Sequence, residues 1–401
     1  MKKNQSKIEK LISELCPNGV EFKMLGELED DSLIKLGRGN VISKNDISNT
    51  PGDFPVYSSS ANGEGEFGRY GKFMFDDERI TWSIDGGGRF FYRFPHKYSV
   101  TNVSGWLKVN DNNVINTRYL YFVLSNAWLT KVFDYTKKAH PSVIREEYKI
   151  PIPPLAIQEE IVKILNSFTE LEAELEAELE ARKKQYEHYR AQLLTFPEGG
   201  VQWVRLSDIG TMIRGSGLQK KDFTETGVGC IHYGQIYTYY GTFADKTKSF
   251  VSPELAKKLK KAQNGDVLIA GVSENIEDVC KPLGWLGGEI CISGDMFAFR
   301  HNQNTKFLTY LLQTPNFQKY KERFAHGTKV IRVKVDKILD YKIPVPSLQE
   351  QERIVSILDK FDALVNDISI GLPAELKARR SQYEYYRAKL LTFKPVERMA
   401  I

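Results

Sequence analysis

The sequence carries one pattern twice, and this repeat constrains the fold more than any other feature. Residues 148–168 read YKIPIPPLAIQEEIVKILNSF, and residues 341–361 read YKIPVPSLQEQERIVSILDKF. A second matching pair follows, with ARKKQYEHYRAQLLTF at 181–196 and ARRSQYEYYRAKLLTF at 378–393. The second copy therefore carries four extra residues between the two blocks, which is about one helical turn. Two like halves predict a particle with pseudo-two-fold symmetry.

The segments that precede each half are also alike, which makes the repeat circular. CPNGVEFKMLGEL at 16–28 and FPEGGVQWVRLSDI at 196–209 share the order proline, glycine, valine, aromatic. The N-terminal IEKLISEL stands where YRAQLLTF stands before the second half. The two halves thus resemble links of a ring that is cut near one junction.

The repeated blocks predict long helices. After Pro154, apolar residues recur every seven positions, as at Ile161, Phe168 and Leu175, which indicates a coiled-coil seam. A helix over 156–196 would extend roughly 60 Å at 1.5 Å per residue. That length exceeds what a domain of this size needs for burial.

Gly371 and Pro373 interrupt the same pattern in the second copy. They predict a turn near 369–373, with Pro373 in the first turn of a new helix.

Residues 171–182 form a four-residue tandem, LEAE-LEAE-LEAR. One interpretation is a solvated helix supported by the pairs Glu178–Arg182 and Glu180–Lys184. The other is an adjustable ruler, because each unit lengthens a helix by roughly 6 Å and rotates its end by about 40°.

The segments 20–150 and 201–340 look β-rich, with short strand-like runs between Gly, Asn and Asp turns. The runs are FPVYSSS, GKFMFDD, RITWSI, RFFYRF and YSVTNVSGWLKV in the first segment, and GCIHYGQIYTYY, GDVLIAGV, GEICIS and DMFAFRH in the second. One helical stretch follows in each, TRYLYFVLSNAWLTKVF and TKFLTYLLQTPNFQKYKERF. We therefore predict an α+β fold with two β-rich domains. The domains share this order but little sequence, which favours two sites with different targets.

Composition excludes several classes of protein. No stretch approaches the ~20 apolar residues that span a bilayer, and the N-terminus lacks the apolar core of a signal peptide, so we expect a cytoplasmic protein. The four cysteines form no zinc-like spacing and are expected to be reduced thiols. The net charge of +5 is compatible with nucleic acid but does not require it.

No motif supports catalysis. GEGEFG at Gly63–Gly68 matches a nucleotide fingerprint only in spacing, and no helix is expected after it, so we interpret it as a turn. GTFADKTK at 241–248 lacks the second glycine of a P-loop. Neither an amino-methyltransferase motif nor a nuclease metal cluster is visible, and no residue is predicted to be catalytic or to bind a metal.

DNA-contacting candidates are amides, hydroxyls and arginines, which read base edges, and lysines, which hold phosphates. Each could equally be a turn former or a solvated charge. In the first domain they are Tyr57, Ser58, Ser59, Ser60, Asn62, Arg69, Arg89, Arg93, Lys137, Lys138 and His140. In the second they are Lys220, Lys221, His232, Tyr233, Gln235, Ser273, Asn275, Lys329 and Arg332.

The doubled block that begins with YKIP and continues to Leu-x-x-Gln-Glu, the LEAE tandem and the doubled ARKKQYEHYRAQLLTF block resemble the specificity (S) subunits of type I restriction-modification systems. The resemblance covers about residues 17–393. It implies target-recognition domains at 17–154 and 198–346, and helical spacers at 155–197 and 347–394 that form two antiparallel coiled-coil helices. Threonine often occupies the second place of the tandem in that family, where this chain has glutamate.

The resemblance also implies partners. These are double-stranded DNA with a bipartite site, two modification subunits that methylate adenine with S-adenosylmethionine, and restriction subunits that use ATP and Mg²⁺; no cofactor is expected in this chain. Docking of the modification subunits is predicted on the repeated helices, near Gln158, Glu159, Tyr186, Tyr189, Gln351, Glu352, Tyr383 and Tyr386.

Three alternatives remain open on the sequence. The chain could be a self-sufficient methyltransferase or nuclease, which would need a cofactor or metal motif. It could be a coiled-coil scaffold without a DNA role. It could also serve a related system in which modification and cleavage share one polypeptide.

Overall fold

The structure, a computed structural model, describes residues 6–59, 63–134, 137–197, 199–367 and 369–396. It comprises two compact units. The first contains the described residues up to Ala177 together with those from Glu375 onward, and the second is Glu178–Ala374. Within the described ranges, no helix is long and apolar enough to cross a bilayer.

The first unit is built on a four-stranded antiparallel sheet in the order Ile34–Arg38, Ser104–Val109, Arg79–Ser83, Phe90–Arg93. Its other strands are Phe54–Tyr57, Glu66–Tyr70 and Ser99–Val100 in a three-stranded sheet, and the pair Phe22–Met24 and Lys149–Pro151. Its shorter helices are Lys7–Leu15, Leu25–Asp30, Lys44–Asn49, Thr117–Trp128 and Pro141–Glu147. The core packs Trp82, Leu107, Tyr119 and Phe122 against Ile157 and Ile161 of the long helix.

The second unit has a five-stranded sheet in the order Gly210–Arg214, Met296–His301, Val267–Ala270, Pro282–Trp285, Phe243–Ala244. Its other strands are Ser249–Val251, Val228–Ile231, Ile290–Ile292 and Lys261–Ala262 in a four-stranded sheet, the pair Val272–Ser273 and Ile331–Arg332, and the pair Gln202–Arg205 and Lys342–Val345. Its helices, apart from the end of the long helix, are Leu206–Ile209, the 3₁₀ turn Lys220–Asp222, Tyr233–Thr238, Pro253–Ala256, Thr305–Leu311, Pro315–Glu322, Val335–Leu339 and Leu348–Asn366.

The α+β prediction is confirmed, with three local errors. GKFMFDD forms no strand beyond an isolated bridge at Phe75. The run 229–240 becomes a strand followed by the helix Tyr233–Thr238, whose first turn is capped by His232. The predicted helix 305–324 is two helices, because Pro315 cannot continue the first and begins the second.

The long helix of the first copy spans Leu155–Leu193, which is 39 residues, and ends three residues before the predicted limit. Ile161 and Leu165 of its seam are fully buried, whereas Leu171 is 44% exposed. The apolar seam is therefore buried near the start of the helix, whereas the helix is solvent-exposed at the tandem.

The tandem is held by charged pairs. Arg182 and Glu178 form the predicted pair at 3.4 Å, but Glu180 pairs with Lys183 instead of Lys184. The expected break in the second copy is confirmed, since one helix ends at Asn366 and the next, Leu372–Leu390, has Pro373 in its first turn.

Each unit completes its helical seam with side chains from the other copy of the repeat. In the first unit Tyr386 stacks on Phe168, with ring centroids 5.5 Å apart. In the second unit Tyr189 stacks on Phe361, the equivalent phenylalanine, at 5.3 Å. Arg380 contacts Glu172, further along the long helix than Phe168, so the helices run antiparallel in the first unit. Within each unit, a helix from one copy of the repeat therefore packs against a helix from the other copy.

In each unit, a buried glutamine near the start of the repeated helix hydrogen-bonds to the preceding β-rich domain. Gln158 accepts a hydrogen bond from the Asn116 backbone N–H at 2.9 Å, and Gln351 accepts one from Asn304 at 2.9 Å. Each side-chain amide also donates to a proline carbonyl before its helix, at 2.7 and 2.9 Å. Both glutamines are 0% exposed. Each asparagine also caps the next helix through its side chain.

His301, at the end of a strand in the second unit, gives that unit a pH-dependent stability. Burial lowers the pKa of His301 to about 4, and its Nδ1 accepts a hydrogen bond from the Gln303 N–H at 3.2 Å. Because the unfolded imidazole has the higher pKa, this contribution is complete above about pH 6.5 and is lost as the pH falls toward 4. We expect unfolding at pH 4.5 to be easier than at pH 7 by about 2 kcal/mol through this group, allowing for its partial solvation.

The comparison variant is His301→Gln, measured by urea unfolding at both pH values. It should reduce the pH difference by that amount, since carboxylates titrate alike in both proteins. An unchanged difference would contradict the role of His301.

Candidate DNA interface

In the first unit, one turn gathers three segments that the sequence placed among the DNA-contacting candidates. The turn joins the strands Arg79–Ser83 and Phe90–Arg93, and Gly87 and Gly88 have φ of +82° and +78°, which favour glycine. Lys138 pairs with Asp85 at 2.9 Å. Ser59 donates to or accepts from Ser83 at 2.5 Å. The serine loop, the basic loop and the Arg89 hairpin therefore meet at one place.

Arg93 does not lie on this surface. It is 3% exposed, donates to the Glu64 carbonyl at 2.8 Å and to Thr81 at 3.0 Å, and lies 3.6 Å from the Tyr57 ring centroid. This burial argues against the predicted DNA contact by Arg93. Its guanidinium donates to internal acceptors instead, and the bond to Glu64 holds the Gly63–Gly65 turn in place.

Tyr57 is half-buried, and its hydroxyl hydrogen-bonds His96 at 3.2 Å. Burial raises the pKa of Tyr57, so the phenol stays protonated at neutral pH. Ser58 is likewise paired, with Thr101 at 2.8 Å.

The remaining first-unit candidates are exposed, and each of them interacts with a local partner. Arg69 donates to the Asp53 carbonyl, Lys137 pairs with Glu147, His140 contacts Ser142, and Arg89 lies over Phe91. Ser60 and Asn62 lie outside the described residues. Side chains held at an exposed surface in this way can exchange a weak local partner for a phosphate at small cost.

In the second unit, six of the predicted residues line a single cleft of about 660 Å³. They come from four separate segments of the chain: Lys220, Tyr233, Gln235, Ser273, Asn275 and Lys329. Lys220 and Lys329 are exposed at this cleft. The cleft thus combines cations, hydroxyls and amides, which are the groups used for phosphates and base edges.

Two of these polar groups are committed to the cleft wall, and His232 is bonded to one of them. Gln235 donates to Ser249 at 2.7 Å and accepts from the His232 N–H at 2.9 Å, and Asn275 bonds Asp278. Burial lowers the pKa of His232, so its neutral ring accepts the Gly234 N–H. Their first role is therefore to shape the cleft rather than to project from it.

The cleft also contains residues that the sequence did not single out. Lys248 lies 4.4 Å from the Tyr239 ring centroid, and Tyr237 donates to the Val272 carbonyl at 2.7 Å. Phe223, Thr238 and Glu274 contribute to the lining. The available signal for Lys248 was a lysine that shortly follows the tyrosine-rich run 233–240.

Lys221, His232 and Arg332 do not line this cleft. Arg332 instead lines a neighbouring cleft of about 280 Å³ with Arg214 and His326. Among the described residues, no group of three or more His, Cys, Asp or Glu side chains could hold a metal ion.

The sequence profile of the type I restriction modification DNA specificity domain matches residues 17–181 and 198–378. The chain belongs to this family. The two matched ranges repeat the duplication seen in the sequence, and specificity subunits are the DNA-recognition components of their systems rather than the catalytic ones.

Relatives of the whole chain belong to the same specificity-subunit family. The EcoR124I/EcoR124II specificity subunit of Escherichia coli is 34% identical over 71% of this chain and 72% of its own length. A Haemophilus influenzae protein named as a type I restriction enzyme specificity subunit is 31% identical over 98% of this chain and 100% of its own.

Two solved structures share the fold. The S subunit from M. genitalium has a TM-score of 0.54 at 17% identity, covering 93% of this chain and 96% of that one. A chain from a structure on complex assembly and conformational transition of the type I R-M system has a TM-score of 0.55 at 18% identity, covering 94% and 98%. At these identities the likeness concerns the fold alone.

The docking candidates of this specificity subunit fall into two groups. Gln158 and Gln351 are fully buried, which argues against direct docking and gives them the joining role described above. Tyr186 is also buried, 5% exposed, and its hydroxyl contacts Asp362. The other candidates have exposed or half-buried side chains, and docking by them stays a prediction. They are Glu159, Tyr189, Glu352, Tyr383 and Tyr386.

Proposed function

We propose that this chain reads a bipartite DNA sequence in the cytoplasm, one half-site with each unit, on behalf of two modification subunits. The observation that carries the proposal is the contrast between the copies. The buried glutamines and the phenylalanine–tyrosine stacks recur in both units, whereas the turn of the first and the cleft of the second share neither residues nor shape. A common frame with different surfaces suits two half-sites of different sequence.

Adenine methylation requires the base to leave the helical stack, and an enzyme must therefore be held at each half-site. We infer that the modification subunits supply S-adenosylmethionine chemistry, and that restriction subunits, where present, supply ATP- and Mg²⁺-dependent cleavage. The exposed residues Glu159, Tyr189, Glu352 and Tyr386 lie on the repeated helices and give the modification subunits two related docking surfaces. A structure on complex assembly of the type I R-M system supports partnership with other subunits.

The test is methylation of the whole genome in cells with and without this chain. We expect loss of the chain to remove methyl-adenine from one bipartite motif completely. Complementation with the intact gene should restore it. An unchanged methylation pattern would refute the proposal, and a partner complex that forms but protects no specific DNA would favour a scaffold instead.

A further inference from the structure

The first unit contains a half-open cleft of about 380 Å³ that carries positive charge without a carboxylate in its lining. Arg89 and Arg387 contribute the two guanidinium groups, and Phe90, Tyr121 and Trp128 contribute aromatic walls. Arg387 belongs to the C-terminal helix Leu372–Leu390, so the cleft joins the recognition domain to a repeated helix.

Two polar atoms in this lining lack a hydrogen-bond partner. The Nε of Arg387 and the Oγ of Ser125 are both shielded from solvent, and neither has a partner among the described residues. The Arg387 guanidinium also lies 5.3 Å from the Tyr383 ring centroid. Arg387 as a whole is half-buried, but a shielded N–H without an acceptor is unfavourable unless a ligand supplies one.

The repeat provides an internal comparison for this arginine. The equivalent residue in the second unit is Arg190, which lies 5.4 Å from the Tyr186 ring centroid in the same manner. There Asp362 interacts electrostatically with Arg190. The residue equivalent to Asp362 in the first copy is Thr169, which carries no charge. The first unit has therefore kept the arginine and the tyrosine, but it has no carboxylate at the position that Asp362 takes beside the Tyr186 hydroxyl.

We propose that Arg387, with Ser125 and Arg89, binds a phosphate of the DNA backbone and anchors the first half-site. DNA is favoured over a protein carboxylate because the cleft includes Gly86, whose turn holds the Ser59 loop and Lys138. The two arginines offer planar donors suited to phosphate oxygens. This inference rests on the proposed function, since it assigns one contact within that DNA interface.

The test is DNA affinity of the assembled complex over a salt series, for the native chain and for Arg387→Gln. Each phosphate contact contributes about 0.9 to the slope of log affinity against log salt concentration. We expect Arg387→Gln to lower that slope by about one, and equally for target and scrambled duplexes, because phosphate contacts carry no sequence information. Thr169→Asp should have the same effect by supplying a carboxylate internally, and Arg190→Gln should leave the slope unchanged.

An unchanged slope in Arg387→Gln would overturn the proposal, as would a loss confined to the target sequence. Weaker binding of the modification subunit without DNA would also overturn it, in favour of a protein carboxylate. If the native complex binds no duplex, the proposed function fails. Titration of the isolated chain with pyrophosphate then still decides the anion site, which requires binding that Arg387→Gln and Thr169→Asp both reduce.

Discussion

Deletion of one tandem unit, Leu171–Glu174, is expected to abolish methylation at the natural sites and to create it at sites with a shorter gap. The deletion shortens the helix by roughly 6 Å and rotates its end by about 40°. At 3.4 Å per base pair this corresponds to about one or two base pairs. Both half-sites should stay the same, because neither recognition surface is altered.

The structure explains why the deletion should be tolerated. Leu171 is exposed, and the contacts made by this tetrapeptide include the ion pair of Glu172 with Arg380. Since the tandem repeats itself, Glu176 would take the place of Glu172 and restore that pair. The measurement is sequencing of methylated bases in cells that carry the shortened chain.

A same-length control permutes the four residues 171–174 without removing any. It should leave the methylated motif unchanged, because length and rotation are preserved. Altered half-sites with an unaltered gap would refute the ruler interpretation.

Replacement of the buried glutamine by an apolar residue of similar size, Gln351→Leu, is expected to destabilise the second unit by about 3–5 kcal/mol. The change leaves the Asn304 N–H, the Pro346 carbonyl and the Gln303 side chain without their partner. Each buried unsatisfied group costs about 1–3 kcal/mol. Hydrogen exchange, read separately for peptides of each unit, measures the effect, and Gln158→Leu should act in the same way on the first unit.

The adjacent residue Glu352 gives a matched control, because it is exposed on the same helix. Glu352→Ala should change stability by less than about 0.5 kcal/mol. Comparing these two variants also distinguishes a loss of stability from a loss of docking by the modification subunit. A Gln351→Leu chain that keeps its protection from exchange but loses the modification subunit would restore the docking role that burial argues against.

Much of the fold followed from periodicity, and the exceptions have physical causes. Long heptad runs and Pro373 placed the helices and their break, since these signals are local. GKFMFDD alternates like a strand, yet only Phe75 makes a bridge, because strand pairing depends on a partner that the sequence does not identify. Pro315 should have divided the predicted second-domain helix, and its effect was underestimated.

The sequence predicted the positions of some DNA-contacting candidates better than others. Six second-domain residues do line one cleft, because turn-forming amides and lysines cluster where loops meet. The burial of Arg93 could not be predicted, since nothing in the sequence distinguishes an arginine packed over a half-buried tyrosine from one in solvent. Arg387 carried no signal in the sequence, because its helix is repeated and its significance arises only from the absence of a carboxylate equivalent to Asp362.

In each unit, an aromatic side chain from one copy stacks on one from the other copy. This arrangement affects the order in which the two units fold during synthesis. Every residue of the second unit lies in one continuous stretch, so that unit can complete its core as soon as Ala374 has left the ribosome. The first unit is made earlier but finishes later, because its core includes Leu391 and its Phe168 awaits Tyr386. A ribosome that stops before the final helix thus releases a chain whose first unit is unfinished and whose Phe168 lacks its stacking partner.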